Sequence, residues 1–496
     1  MTRIAIIGGG VAGLSAGIFA QLNGFESVVL EKHHEPGGQC TGWNRQGYHI
    51  DGCIHWLVGT KEDTAINDLW KTVGALDGVE VYHPETFLTF EHDGVSVPIY
   101  RDLDRLRDTW TQISPADAET IGEFCDTIGQ LQSFEVPADK PMDMMGLLER
   151  LRLMASMKDA GMIMKRYGKV SLKEYADNFE HPALRETLGS FLPDGYSASS
   201  VFFALATFTK GQASVPVGGS RAFSLRMAER YRTLGGRIEA GCEIAELDID
   251  GNRAVAARAE DGRTFEADYF VAACDAHFFF EGLLGGRYPD RAFRSRFENP
   301  TDYPLASQVL VSLGYEGTMD EVPRSLSFPV ESFRLLGDPI DRLTVSHFGH
   351  EPDFAPEGHT LLTCAINQFH ADFDAWKTLS GDPVAYRSEK ERIGRCVERA
   401  IIGRFPEMAG KLRVLDVASP LTYERYCNAN RGAFMAFLPT VRTKGMAHTG
   451  AVKGLRNVFL SGQWLQPPGG LPVAVITGKD SIRRICKQLR RALVDR

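Results

Sequence analysis

Three glycines in the pattern G-x-G-x-x-G follow the apolar run at residues 4–7, near the start of the chain. Gly8 permits a tight exit from a strand, Gly10 lets the backbone approach a pyrophosphate that a Cβ would block, and Gly13 lets the following helix pack closely on the strand. The helix N-terminus directs N–H groups and partial positive charge at the phosphates. This spacing predicts a phosphate-binding turn; a glycine-rich turn in an unrelated α/β domain is the alternative.

An acidic residue stands where such a unit needs one to bind a ribose. A second predicted strand, residues 27–30, ends at Glu31, whose carboxylate can accept hydrogen bonds from ribose hydroxyls. The order of strand, glycine turn, helix, strand and acid is that of a dinucleotide-binding βαβ unit. We therefore predict a dinucleotide site that also includes Ala12, in the first helical turn, and Lys32, beside the acid.

The remaining chain is long and apolar enough to build the domains that such a site requires. It has 496 residues, of which 43% are hydrophobic and 24% charged, as in an ordinary globular protein. A net charge of −9 argues against a globally basic nucleic-acid binder, so we predict no nucleic-acid partner. The longest apolar stretch, residues 201–208, is far shorter than the roughly 18 residues of a membrane span.

Cysteine usage predicts a reduced protein without a metal site. The nine cysteines include no C-x-x-C pair and are odd in number, which argues against a disulfide framework or a structural zinc site. His347 and His350, with His359 and His370 nearby, lack the carboxylate or cysteine partners of a metal site. The first apolar run, residues 4–7, is too short for a secretory signal. We therefore predict no bound metal and a cytoplasmic location.

Three further segments carry glycine motifs. A glycine pair lies at residues 37–38, the pattern G-Y-x-x-D-G spans residues 47–52, and a proline- and glycine-rich loop at residues 462–472 leads into a predicted helix. Proline suits the start of a helix because its missing N–H would be unpaired there. The N-terminus of that helix could stabilise negative charge on a cofactor.

These motifs together resemble the phytoene desaturase-like flavoproteins, of the carotenoid desaturase and retinol saturase type, within the amine oxidase superfamily. The resemblance extends to residues 215–280, where P-x-G-G, a helix, a glycine pair and two predicted hairpins follow one another. It implies an α/β fold, in which a glutathione-reductase-type FAD-binding Rossmann domain carries an inserted α+β substrate domain and a helical cap. The family order is D-x-G, whereas here Gly52 follows Asp51 directly.

The resemblance implies FAD as the cofactor, with Ile244 against the adenine. The FAD contacts implied beyond the first βαβ unit are Gly37, Gly38, Gln39, Ile54, His55, Ile244, Gly462, Gln463, Gly470, Leu471, Pro472 and Val473. The implied division of the chain is a first FAD-binding segment at 1–75, a helical cap and substrate region at 76–210, a second FAD-binding segment at 211–285, a substrate domain at 286–420, and a third FAD-binding segment at 421–496.

The implied activity is desaturation, saturation or isomerisation of C–C bonds in an apolar isoprenoid or polyene substrate, by hydride transfer with flavin N5. His55 follows the segment that should pass the flavin and could move a proton near neutral pH; a structural, hydrogen-bonded histidine is the alternative. Residues that could wall the site or orient substrate are Trp56, Tyr423, Tyr426, Arg431 and Trp464. Without a second dinucleotide motif, the expected electron acceptor is external: oxygen, a quinone or another compound.

Two other functions share this architecture. A flavin amine or amino-acid oxidase would need an aromatic cage and a small polar cavity. A non-catalytic prenyl-lipid carrier would use the fold without flavin. The intact glycines at 8, 10 and 13, the acid Glu31 and the C-terminal loop argue against the carrier.

Two segments raise the hypothesis of peripheral membrane contact. Residues 142–170 hold seven of the thirteen methionines and six basic residues. This composition suits a lid or membrane-docking patch around an apolar tunnel. The alternative is a methionine-rich core helix with a solvated basic side. Residues 479–496 place apolar residues on one helical stripe among lysines and arginines, so this helix either docks on the protein or presses on a membrane.

Overall fold

The computed structural model describes residues 1–193 and 195–495. Its strands, numbered β1 to β20 in chain order, are Arg3–Ile7, Glu26–Leu30, Gly42–Arg45, Tyr48–Asp51, Leu57–Val58, Val81–Tyr82, Thr86–His92, Val95–Tyr100, Ala213–Pro216, Arg237–Glu239, Ile244–Asp250, Arg253–Ala259, Thr264–Glu266, Tyr269–Ala272, Ser307–Tyr315, Ser325–Leu335, Asp338–His347, Thr360–Gln368, Leu412–Ala418 and Val458–Leu460. Its α-helices, α1 to α15, are Val11–Leu22, Ala65–Thr72, Leu103–Ile113, Ala118–Leu131, Leu147–Ser156, Lys158–Tyr167, Leu172–Ala176, Pro182–Gly189, Ala198–Thr209, Gly219–Thr233, Arg291–Phe297, His370–Leu379, Pro383–Arg404, Pro420–Cys427 and Leu471–Gln488.

A parallel five-stranded sheet forms the centre of the first domain, in the order β10-β2-β1-β14-β20. Its strands come from three distant parts of the chain, so the domain closes only when the N- and C-terminal regions meet. The short apolar runs suit a parallel sheet, because both of its faces are covered. Ile4 and Ile6 point into the core beneath α1, α10 and α15, whereas Ala5 and Ile7 point into the core on the opposite face.

Helices α1 and α15 pack against each other over the first of these faces. The Ser15 hydroxyl donates a hydrogen bond to the Val475 carbonyl at 2.7 Å. A Cβ at Gly478 would collide with the Ala12 carbonyl oxygen and the Ser15 side chain, so glycine is what permits this approach. C-terminal to that point α15 buries Ile482, Ile485 and Cys486, which means that its apolar stripe docks on the protein.

The second domain is built on a mixed seven-stranded sheet in the order β19-β15-β18-β17-β16-β7-β8. Strands β15 to β18 follow one another directly, and α12 and α13 come only after them. The buried side chains of α13, Ile393, Val397 and Ile401, pack in one core with the strands. Strand β7 joins this sheet by pairing parallel to β16.

The region assigned to a helical cap and substrate region, residues 76–210, also contributes strands. Strands β7 and β8 form a hairpin whose turn residues, Asp93 and Gly94, have positive φ values of 47° and 78°. Asp-Gly is a favoured pair in tight hairpin turns with this geometry, so the signal is local and can be read from the sequence. The hairpin connects the cap to the substrate sheet.

Helices α3 to α9 form the cap, and they share a core with the β7–β8 hairpin. Trp110 stacks on Phe124 with ring centroids 5.4 Å apart. Helix α5 is the exception, because none of its residues is buried. The methionine-rich segment is therefore not a core helix along α5. Within the described residues, no helix combines the length and the apolar character needed to cross a membrane.

Candidate active site

The motif between β1 and α1 contains three glycines. Packing within the protein requires glycine at positions 8 and 13 but not at position 10. A Cβ at Gly8 would lie 2.6 Å from the Ala273 carbonyl oxygen, and a Cβ at Gly13 would collide with the carbonyl oxygen of Gly8. By contrast, a Cβ built on Gly10 would meet its nearest neighbours, in Gly37 and Gly38, at 3.8 Å. Protein packing therefore does not explain glycine at position 10, whereas the close approach of a ligand does.

The N-terminus of α1 is free to receive an anion. Gly10 is its N-cap, and within the described chain no side chain caps the helix and no acidic residue occupies its first turn. Free N–H groups at a helix N-terminus form a binding site for phosphate. Ala12 lies in this first turn and faces Gly462, where an added Cβ would lie 4.0 Å from the Cβ of Ala12.

Glu31 lies beside the glycine turn and is held by the backbone. One carboxylate oxygen accepts a hydrogen bond from the N–H of Gly9 at 2.6 Å, and the other accepts one from the N–H of His33 at 2.7 Å. Burial raises the pKa of Glu31, against the opposing effect of these two N–H groups. A carboxylate has further acceptor capacity, so this geometry leaves room for ribose hydroxyls.

Lys32 and Ile244 lie at the same end of the site. Lys32 makes an ion pair with Glu243 at 2.9 Å and donates a hydrogen bond to the Asn428 side chain. The N–H of Cys242 bonds to the Glu31 carbonyl, and this contact brings the start of β11, with the buried Ile244, against β2. Lys32 therefore contributes to charge pairing within the protein.

The second glycine pair folds back onto the first glycine turn. The N–H of Gly37 donates to the Gly9 carbonyl at 2.9 Å, and a Cβ at Gly38 would lie 3.2 Å from the Gly10 Cα. The Gln39 side chain donates a hydrogen bond to the Ala433 carbonyl at 2.8 Å. Residues 37–39 thus connect the first glycine turn to the segment that precedes the C-terminal loop.

Two side chains hold the C-terminal loop, residues 462–472, by accepting hydrogen bonds from its backbone. The N–H of Gly462 donates to the Thr477 hydroxyl at 2.9 Å, and the N–H of Gly470 donates to the side-chain oxygen of Gln463 at 3.2 Å. Gly462 and Gly470 have φ values of 124° and 87°, a conformation that favours glycine.

Helix α15 begins directly after this loop. Gly470 is its N-cap, and Leu471, Pro472 and Val473 form its first turn, with no capping side chain and no acid there in the described chain. Helix α15, which packs on α1, is therefore a second helix of this domain with an open N-terminus. A dinucleotide fits this arrangement, because its phosphates and the negative charge on its reduced flavin both need such donors.

A buried carboxylate, Asp51, fixes the turn at residues 51–55. Its oxygens accept hydrogen bonds from the Ser220 N–H and hydroxyl, both at 2.6 Å, and from the Cys53 N–H at 3.0 Å. The Ser220 hydroxyl oxygen in turn accepts from the Ile54 N–H at 2.7 Å. Asp51 thus positions Ile54 and His55 through the start of α10, and this role does not require contact with a flavin.

His55 emerges from this turn into a buried environment. Burial lowers the pKa of its imidazole, while the nearby Asp51 raises it and Arg324 lowers it further. The imidazole is therefore neutral at pH 7 and can accept a proton. Arg324 also donates a hydrogen bond to the His55 carbonyl at 3.0 Å, which connects this turn to the substrate sheet.

The substrate sheet contributes two more titratable groups beside this turn. Burial raises the pKa of Glu351 to about 7, against the opposing hydrogen bond from the Gly218 N–H. Burial lowers the pKa of His350 to about 3, and its ring stacks on Tyr82 at 4.3 Å. Sequence inspection did not single out Arg324 or Glu351, because each is an isolated charge in a loop. Ser220 belonged to a recognised glycine motif but had no assigned role.

An aromatic group adjoins His55. Trp56 is 37% exposed and packs edge-on against Phe87 at 5.6 Å. Phe87 also contacts Phe191 and Phe208, at 5.3 and 5.2 Å. This group is what an apolar substrate next to His55 would touch.

The other predicted substrate residues are dispersed. Tyr426 packs edge-on against His33 at 5.6 Å, at the Glu31 end of the site. Tyr423 is buried, which raises its pKa, and its hydroxyl accepts a hydrogen bond from Gln308 at 2.8 Å. Trp464 is buried among aromatic rings.

Arg431 lies at a separate cavity of about 340 Å³ between α11, α12 and the turn at residues 430–432. It pairs with Asp374 at 2.7 Å. The cavity walls also include His277, His370 and Phe373. The structure therefore brings Trp56 beside His55, whereas Tyr426 and Arg431 lie against other elements. Among the residues that the structure describes, no group of three or more potential ligands could hold a metal ion.

We expect Gly10→Val to abolish FAD binding while the apoprotein still folds. The new side chain would project into the space at the α1 N-terminus, where the backbone φ of −72° is compatible with valine. Flavin released from purified protein and the melting temperature of the apoprotein are the two measurements. Gly13→Val is the matched control and should lose soluble protein, because its Cβ collides with the Gly8 carbonyl. A normal FAD content in Gly10→Val would contradict the site.

Known proteins resemble this chain over nearly its full length. It is 24% identical over 510 residues to a lycopene-forming phytoene desaturase from Paracoccus sp., with 98% of each chain covered. It is 23% identical over 508 residues to a chloroplastic prolycopene isomerase from Arabidopsis thaliana, covering 98% of this chain and 82% of the relative. The predicted resemblance is therefore confirmed.

The fold and family are also established. The solved structure of putrescine oxidase bound to putrescine superimposes with a TM-score of 0.59 at 16% identity and covers 99% of each chain, which confirms the α/β fold. The family model of the flavin containing amine oxidoreductases matches residues 11–486. The chain therefore belongs to the flavin-containing amine oxidoreductase family, and it is an FAD-dependent oxidoreductase.

Proposed function

We propose that this oxidoreductase desaturates, saturates or isomerises C–C bonds of a largely apolar polyene. The observation that carries the proposal is the aromatic group of Trp56, Phe87, Phe191 and Phe208 beside His55. Large aromatic surfaces suit a flat conjugated chain and exclude water from it. The full-length similarity to a phytoene desaturase and a prolycopene isomerase supports the same substrate class.

In this proposal the protein binds, orients and exchanges protons, and the cofactor carries the redox step. FAD, when bound, accepts or returns a hydride at N5. Gly10 and the N-termini of α1 and α15 hold its charged parts, and Glu31 holds its ribose. Asp51 and Ser220 fix the backbone of Ile54 and His55 next to the substrate. The neutral imidazole of His55 takes the proton that leaves the substrate in the oxidative direction.

The proposed reaction is tested by adding polyenes to the oxidised holoprotein without air. The panel contains phytoene, prolycopene and polyenes with oxygenated ends. In desaturation we expect a polyene to bleach the visible flavin absorption and to gain one double bond. With holoprotein that has first been reduced, saturation would instead restore the absorption as the polyene loses a double bond, and isomerisation would change only the geometry of its double bonds. The control compounds are putrescine and cyclohexylamine. Flavin bleaching with these amines alone, followed by peroxide release when air is admitted, would contradict the proposal and favour an amine oxidase.

We expect His55→Ala to retain FAD but to slow flavin reduction by a polyene about 100-fold, the scale of general-base catalysis. Because burial holds the pKa of His55 below 6.5, the wild-type rate should be constant above pH 7 and fall only as His55 becomes protonated below pH 6.5. Single-turnover absorbance measurements check both points. The control is His92→Ala, at the end of β7, and an unchanged rate in His55→Ala would remove His55 from the reaction.

We further propose that helices α5 and α6 bind an anionic membrane surface from which the substrate enters. Leu147, Leu151 and Met154 are 75%, 53% and 68% exposed and recur at helical spacing along α5. Exposed basic residues flank them at Arg150, Arg152, Lys158, Lys165 and Lys169. An apolar stripe with flanking positive charge is complementary to anionic lipid. Cytoplasmic localisation, with contact to the inner membrane surface, is part of this proposal.

The membrane proposal predicts that the triple variant Leu147→Ser, Leu151→Ser and Met154→Ser binds vesicles less strongly. Loss of three apolar contacts should weaken binding about tenfold or more. Co-sedimentation with vesicles of phosphatidylglycerol and phosphatidylcholine measures this. The matched control is Val384→Ser, an equally exposed apolar residue (74%) at the start of α13. Equal binding by wild type and the triple variant would contradict a membrane role for α5.

A further inference from the structure

Arg324 is a buried cation at the junction between the substrate sheet and the predicted flavin-facing turn. It immediately precedes β16, and its Nη2 donates to the His55 carbonyl at 3.0 Å. Its nearest charged and titratable neighbours are Tyr82, Asp51 and Glu351. The guanidinium therefore lies next to the backbone of the turn at residues 51–55.

Most of the hydrogen-bonding capacity of Arg324 is unused. A guanidinium has five N–H donors, and the bond to His55 is the one that the described residues provide. Its Nε is buried without a partner there. The two carboxylates nearby are engaged elsewhere: Asp51 accepts from Ser220 and Cys53, and Glu351 accepts from the Gly218 N–H.

A second group beside Arg324, His350, also lacks hydrogen bonds within the part of the chain that the structure describes, although its Nε2 lies 3.9 Å from a carboxylate oxygen of Glu351. Both ring nitrogens of His350 are buried without a hydrogen bond to any described residue. His350 is close enough to Arg324 for the positive charge to lower its pKa. Arg324, just before β16, and His350, just after β17, thus both have buried nitrogens without hydrogen bonds in the same place, as far as the described chain extends.

The arginines of this chain differ in how fully they are engaged: Arg226 and Arg342 each also keep one buried nitrogen without a partner among the described residues, whereas Arg101 and Arg221 are well paired. Arg101, also near Phe208, donates to the carbonyls of Pro84, Phe208 and Ala213 and lies within hydrogen-bonding distance of Ser214. Arg221 makes a two-pronged pair with Glu35, at 2.7 and 2.6 Å. Leaving buried polar groups without hydrogen bonds is costly, so the unpartnered Nε of Arg324, beside the unpartnered ring of His350, points to a ligand that completes them.

We propose that Arg324 binds an anionic carboxylate at one end of an otherwise apolar polyene substrate. This inference rests on the proposed function and narrows its substrate class. A guanidinium matches the planar, two-oxygen geometry of a carboxylate, and a neutral His350 ring can donate one further hydrogen bond. The aromatic group of Trp56, Phe87, Phe191 and Phe208 would contact the apolar chain of the same molecule. Arg324 would therefore set which end of the chain enters first and which bond reaches His55.

The test uses the holoprotein and two fluorescent probes that differ only in charge: parinaric acid, a conjugated polyene carboxylic acid, and its methyl ester. Fluorescence anisotropy gives both dissociation constants without any redox step. We expect wild type to bind the acid at least about tenfold more tightly than the ester. Arg324→Gln should lose this preference while its affinity for the ester is unchanged. Arg324→Lys keeps the positive charge but not the planar, two-donor geometry of the guanidinium, so it should recover part of the preference for the acid.

Three results would overturn the inference. Wild type could bind acid and ester equally well, a comparison that needs no variant. Arg324→Gln, with a normal FAD content and melting temperature, could retain the preference for the acid. Arg324→Gln could also shift the visible flavin spectrum without changing probe binding, which would mean that Arg324 serves the cofactor.

The inference and the proposed function can fail independently. Probe binding does not depend on flavin reduction. A preference for the acid that needs Arg324, together with no polyene that bleaches the flavin, would retain the carboxylate site and reject the reaction. Bleaching by a neutral polyene such as phytoene, together with equal binding of acid and ester, would retain the reaction and reject the carboxylate site.

Discussion

Contact between helices α1 and α15 is the constraint on which the rest of the site depends. Gly478 lets α15 approach the first turns of α1, and the hydrogen bond from Ser15 to the Val475 carbonyl fixes their relative position. Because Gly10 and Gly470 cap the two helices, this contact fixes two sets of free N–H groups relative to each other. The phosphates and the flavin of one cofactor can then be held by segments from opposite ends of the chain.

Around this contact, buried polar groups do the positioning. Asp51 is removed from water, which is costly for a carboxylate, but hydrogen bonds from Ser220 and Cys53 compensate for the loss. Through the Ser220 hydroxyl this network also fixes the N–H of Ile54. The turn that carries His55 is therefore held by hydrogen bonds to α10, and Arg324 attaches it to the substrate sheet.

Membership in the family establishes the cofactor chemistry but does not select the substrate, since one fold supports several reactions. The substrate is selected by the residues around His55. The neighbouring residues include the aromatic ring of Trp56, a guanidinium with an unpartnered Nε and an imidazole without hydrogen bonds to the described residues. A hydrocarbon would leave these polar groups unsatisfied, and a small amine would be repelled by the positive charge of Arg324. An apolar chain with one anionic end satisfies both requirements.

The sequence by itself determined the local features. The G-x-G-x-x-G turn, Glu31, the glycine pair at 37–38 and the loop at 462–472 each have a backbone requirement that neighbouring residues reveal, so the FAD fold could be predicted. Tertiary structure alone decided the rest. Strands β7 and β8 join a sheet whose other strands begin at residue 307, and Arg324 reaches His55 from a distant segment of the chain. An isolated charge in a loop has no periodicity or spacing that reports its partners, because its environment is created only when distant segments pack together.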